Sequence, residues 1–202
     1  MRNWIATLLG VLLCGVATAG LLTPRWSIKL KAVPGEVPPN LHVLDQRPEE
    51  QKTFRTVDFA KLAYKSYLGD ANTAPERLAI LRARLAIVAA SRTGDLTVAV
   101  TRFDILHDQS GSACKFCALA AVSPAAATSL ESGDKPHDNS YICGLSASID
   151  GKEQSVDVQA FYHQGPFDTN NSPGSVAALQ SCLDSAIQNW LEKEMLADPL
   201  KK

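Results

Sequence analysis

The sequence has no glycine-rich phosphate loop and no dinucleotide fingerprint, so it offers no nucleotide-binding signature. It has no second CxxC and no HxxxH pair, which removes the regular zinc frameworks. Neither sign of charge dominates: 20 Lys and Arg stand against 21 Asp and Glu. A balanced chain is not drawn to nucleic acid or to an acidic polymer. There is no internal repeat and no long low-complexity run. The stretch Gly144-Leu145-Ser146-Ala147-Ser148 begins like a nucleophile elbow but lacks the closing glycine and falls inside a predicted strand. The four histidines, His42, His107, His137 and His163, are scattered, and each reads as a surface or strand residue. No catalytic residue, cofactor or metal is expected from these absences.

One segment lacks charge altogether. Residues 4–22, WIATLLGVLLCGVATAGLL, follow Arg2 and precede Arg25, Lys29 and Lys31. At about 1.5 Å per residue this stretch just spans a hydrocarbon core of roughly 30 Å. It also reads as a signal peptide, with Ile5 to Val16 as its apolar region and cleavage after Ala17-Thr18-Ala19. Lipidation at Cys14 is a third reading, but a lipobox places a small residue before the cysteine and here stands Leu13. Every version exports the bulk of the chain. We expect an inner-membrane anchor with the domain in the periplasm, the alternative being release after cleavage at Ala19. The division expected is 1–23 as anchor or signal, 24–40 as a proline-rich spacer (AVPGEVPPN at 32–40), and 41–197 as one domain.

Within that domain, LHVLD at 41–45 predicts a short strand stopped by Pro48. Residues 49–74 look polar and irregular, with a short helix around Phe59 to Tyr67. PERLAILRARLAIVAASR, 75–92, predicts a helix with Pro75 at its first position, a stripe of Leu78, Leu81, Leu85 and Val88, and Gly94 as its stop. Arg77, Arg82, Arg84 and Arg92 read as its solvated surface. In 96–108 the apolar phase passes from Leu96, Val98 and Val100 to Phe103 and Ile105, which predicts a bulge near Arg102. Tyr141, Cys143, Leu145, Ala147 and Ile149 share a strand face, and Asp150-Gly151 signals a hairpin into 154–164. Ser175 can cap a last helix with a stripe of Val176, Leu179, Leu183, Ile187, Trp190 and Leu191. The order β-α-β-β-β-α predicts an α+β two-layer sandwich: an antiparallel-rich sheet covered on one face by two amphipathic helices.

Asp45-Gln46-Arg47-Pro48 at a strand end, then this element order behind an export segment, resembles small bacterial envelope proteins: the YajG-like lipoproteins and the auxiliary lipoproteins of ABC transport systems. The resemblance implies a non-enzymatic accessory role in envelope assembly or transport, with an unidentified envelope protein or lipid as partner. Asp45 and Arg47 are its possible binding residues. They also have a local reading, in which Asp45 accepts turn amides and Arg47 pairs with a nearby acid.

Export gives the cysteines their meaning. Besides Cys14 there are four, Cys114, Cys117, Cys143 and Cys182, and in an oxidising compartment they predict two disulfides from three pairings. Cys143 lies on the apolar strand face and Cys182 on the last helix's stripe. The Cys114-Lys115-Phe116-Cys117 motif belongs to the long loop from Asp108 to about Asn139, so we expect at least one of its cysteines to bridge to Cys143 or Cys182. The alternatives are free buried thiols, a zinc site of Cys114, Cys117, His137 and Cys143, or a thiol-redox site or sensor at Cys114/Cys117.

Overall fold

The computed structural model describes residues 26–32, 36–58, 65–109, 138–163 and 169–197. Its elements are β1 (Ile28–Lys29), β2 (Leu41–Asp45), α1 (Glu49–Lys52), β3 (Arg55–Asp58), β4 (Lys65–Tyr67), a 3-10 turn (Asp70–Asn72), β5 (Thr73–Ala74), α2 (Arg77–Ala90), β6 (Leu96–Asp108), β7 (Asn139–Ile149), β8 (Lys152–Tyr162) and α3 (Pro173–Ala197). The main sheet runs β3-β4-β6-β7-β8, with β2 beside the first half of β6. All its pairings are antiparallel except β2 with β6, which is parallel. α3 packs on β7 and β8, and α2 on β2 and β6. The α+β sandwich is therefore observed, with both helices against one core.

Alternation explains which face is covered. On β6, Leu96, Val98 and Val100 point inward, and a register shift between Val100 and Arg102 resets the phase to Phe103, Ile105 and His107. That is the bulge expected near Arg102: the extra residue, Thr101, keeps both halves of a 13-residue strand facing the same core. Asp150 (φ 54°) and Gly151 (φ 78°) make the two-residue turn between β7 and β8 with both residues in the left-handed region. The core joins Phe103, Ile105 and Leu145 of the sheet to Leu81 and Leu85 of α2 and to Leu179, Leu183 and Trp190 of α3. Each such side chain contributes roughly 1.5–3 kcal/mol by leaving water.

Several expectations are corrected. Residues 49–74 are not irregular: α1, two short sheet strands, the 3-10 turn and β5 occupy them. Lys65–Tyr67 is a strand, not the end of a helix, because it pairs with both Arg55–Asp58 and the C-terminal end of β6; residues 59–64 lie outside the described set. The stretch 24–40 is not wholly a spacer, since Ile28 and Leu30 are buried in the core and β1 pairs with β5. Pro75 precedes its helix, because the chain stays extended through β5 and Glu76. α2 already ends at Ala90, and Gly94 serves the following turn with φ 104°. In α3 the cap is Ser172: its carbonyl accepts from Val176 N–H and its hydroxyl from Ser175 N–H, which places Pro173 at the first helical position. Among the described residues no helix is long and apolar enough to cross a membrane; residues 4–22 lie outside them.

Candidate functional site

Two polar clusters are set into this core. The first grows from the Asp-x-Arg end of β2. Arg47 is 4% exposed. Its Nε and Nη2 donate to the two oxygens of Asp45 at 2.9 and 3.0 Å, and Nη1 and Nη2 donate to those of Asp70 at 3.1 and 2.9 Å. Its backbone N–H also donates to Asp45 Oδ1 at 3.2 Å, closing the local turn. From the first turn of α2, the fully buried Arg77 donates from Nε to Asp70 Oδ1 at 2.9 Å and from Nη2 to the Gln51 carbonyl at 2.6 Å. Burial opposes the charge on Arg47, but the hydrogen bonds and charges of both aspartates outweigh it and raise its pKa. The bond from Arg47 holds Asp45 below the usual carboxylate range. Burial would raise Asp70, and Arg47 and Arg77 together reverse that and lower it. For Arg77 burial prevails over Asp70, and its pKa is lowered.

This geometry gives Asp45 and Arg47 a clear task within the fold. They lock the end of β2 to the 3-10 turn, and Asp70 ties both to α2. The expected solvated arginine surface of α2 is corrected at Arg77. It shares a helix face with Leu81 and Leu85 at i+4 and i+8, a spacing visible in the sequence. Arg84 is paired across to α3, donating to Asp184 at 2.7 Å. That pair sits in a groove of about 460 Å³ between the helices, bordered by Ile87, Val88, Ile187 and Leu191.

The second cluster fills the far end of the sheet. His107 of β6, opposite Tyr141 of β7, stacks on it at 4.5 Å between centroids, and Tyr141 stacks on Tyr162 of β8 at 5.3 Å. His107 Nε2 shares a hydrogen bond of 2.6 Å with the Tyr162 hydroxyl. The Tyr141 hydroxyl shares one of 2.7 Å with Ser175 Oγ, in the first turn of α3. Beside the ring row, Ser66 of β4 stands in register with His107. Ser66 Oγ, His107 Nδ1 and Gln109 Oε1 are buried without a hydrogen-bond partner among the described residues. Burial pushes the His107 pKa down to about 4, with Asp108 opposing. His107 is thus a neutral core group, a role legible in the sequence because Phe103, Ile105 and His107 continue one alternation.

The outer face of the sheet carries a third arrangement. Gly144 is not part of any elbow: it lies in mid-strand between Asp104 and Asp157, with the Arg102 guanidinium lying over it. Arg102 pairs with both aspartates, and a Cβ at position 144 would collide with its guanidinium. The glycine lets the Arg102 side chain lie close over the strand; a larger residue here would displace that guanidinium.

Cys143 and Cys182 form a disulfide with Cα atoms 5.8 Å apart, within the normal span. The expected bridge from the loop cysteines to either of them is corrected by this pairing. Both sulfurs already face each other across the sheet–α3 interface, and each makes one bond. The zinc set and the free-thiol reading lose Cys143 for the same reason. Cys114, Cys117 and His137 lie outside the described residues. Among the described residues no group of His, Cys, Asp and Glu is placed to hold a metal. No family model, curated protein or solved structure matches the chain.

Proposed function

We propose that this chain is an exported, membrane-attached accessory protein of the bacterial cell envelope, and that it binds a protein or lipid partner rather than transforming a substrate. The observation that supports export is the buried Cys143–Cys182 disulfide, a bond that forms and persists in oxidising compartments. The uncharged segment 4–22 supports attachment, and the resemblance to envelope lipoproteins supports the accessory role. Fractionation of cells expressing the chain, with N-terminal sequencing of the product, tests it. Recovery in the membrane with Met1 or Arg2 retained is expected; a soluble cytosolic product with Cys143 and Cys182 reduced defeats the reading. In vivo cross-linking then identifies the partner class.

A second reading, a thiol-redox protein using Cys114 and Cys117, gains from the same disulfide. With Cys143 and Cys182 joined, the loop cysteines have only each other and Cys14 as intrachain partners. Alkylation of the native protein before and after mild reduction separates the two. One pair that opens readily between Cys114 and Cys117 favours redox chemistry.

A further inference from the structure

We propose that His107 is an acid-operated latch, whose protonation opens the end of the sandwich where β6, β7, β8 and the first turn of α3 meet. The ring is fully buried and joins three strands through a stack on Tyr141 and a bond to Tyr162. Tyr141 passes the connection to α3 through Ser175, whose hydroxyl also donates to the Asn170 carbonyl at 2.9 Å.

Among the described residues a protonated ring at this place meets no counter-charge, and the nearby uncharged Gln109 Oε1 makes no bond to it. Tyr141 faces it from β7 and Tyr162 from β8, both neutral phenols; Ser66 faces it from β4 and Ser175 closes the α3 side, both neutral hydroxyls. The N-terminal end of α3 adds positive potential, which repels a cation. Asp108, the neighbouring acid, projects to the opposite sheet face and is paired with Lys65 at 2.8 Å. Both ring nitrogens of a histidinium are donors, yet Nδ1 has no acceptor among the described residues. Hydration is then the remaining way to stabilise the charge, and it requires this end to part. The rest of α3 stays docked, because the Cys143–Cys182 disulfide and the bond from Trp190 Nε1 to the Ala147 carbonyl hold it further along. The opening is therefore local.

The burial-lowered pKa sets the window. Between the unfolded value near 6.5 and about 4 the open state binds the proton that the closed state refuses, so the opening constant rises about tenfold per pH unit as pH falls. Hydrogen exchange on the full-length chain in neutral-detergent micelles, corrected for intrinsic rates, reads this directly. Amides at 105–108, 140–142 and 160–162 are expected to lose protection at that rate, while those at 96–100 and 147–149 keep theirs. His107→Gln and His107→Phe abolish the dependence; His163→Gln, at an exposed histidine, preserves it. Equal loss at both ends, no loss in the parent chain, or a slope surviving in a folded His107 variant overturns the proposal. Should neither variant fold, the ring's own NMR titration decides: a midpoint near 4 supports the latch, and one near 6.5 refutes it.

Discussion

The two buried polar clusters meet the cost of desolvation in opposite ways. Around Arg47 and Arg77 the charges are retained, because Asp45 and Asp70 surround the guanidinium groups with carboxylate oxygens at hydrogen-bond distance. Around His107 no carboxylate among the described residues bonds the ring, and burial outweighs the nearby Asp108, so the ring gives up its charge instead. An ion in a protein interior persists only with its counter-ion in direct contact; a titratable group lacking one becomes neutral. The first cluster is therefore a rigid joint between β2, the 3-10 turn and α2. The second is conditional on pH.

The largest expected effect breaks the compensated cluster. Asp70→Asn leaves Arg47 with one carboxylate and Arg77 with none bonded, and should cost about 3–5 kcal/mol in urea denaturation. A loss under about 1 kcal/mol would mean that water already compensates these arginines. Next comes the staple beside the histidine end. Reducing Cys143–Cys182, which closes a 39-residue separation, should cost about 3–4 kcal/mol and widen the acid-induced opening. An unchanged melting temperature after complete reduction would count against that.

The pH responses sharpen the contrast, because the two clusters should act in separate windows. His107 has its folded pKa lowered, so stability is full above about 6.5 and falls as pH drops toward 4, by about 3 kcal/mol. Asp45 and Asp70 also have lowered folded values. Their contribution is full above the unfolded value and is lost only as pH falls below 3.8 through the folded values. Denaturation midpoints from pH 7 to 3 should show two steps, the upper absent in His107→Gln and the lower diminished in Asp45→Asn. A single step unaffected by either change would join what the structure separates.

The smallest effect lies on the outer face. Arg102→Ala removes the ion pairs to Asp104 and Asp157, but Asp157 is 56% exposed and the pair is open to water. About 0–1 kcal/mol is expected. A loss as large as that of Asp70→Asn would show that this face is covered rather than solvated.

Much of this was legible in the sequence, and the exceptions share a cause. Periodicity located β6, β7, β8 and the two long helices, because a strand or helix that buries one face must repeat its apolar residues at the element's own period. It located the Val100–Arg102 bulge and the Asp150-Gly151 turn, since a phase change and a left-handed pair leave local marks. It placed Cys143 and Cys182 on inward faces. Periodicity could not reveal β3 and β4, whose few residues take their strand geometry from each other and from the pairing of β4 with the end of β6.

What the sequence by itself determined is the α+β class, the inward face of each long element and the outline of the Asp45–Arg47 turn. Each follows from interactions within a few residues, where composition and spacing decide the energy. Only the tertiary structure decided which cysteines join, that Asp70 stands between two arginines, and that His107 is enclosed by Tyr141 and Tyr162. Those outcomes depend on groups tens of residues apart in the chain. Their meeting is governed by how the sheet and helices stack, and a buried charge or thiol takes its chemistry from whichever partner that stacking delivers.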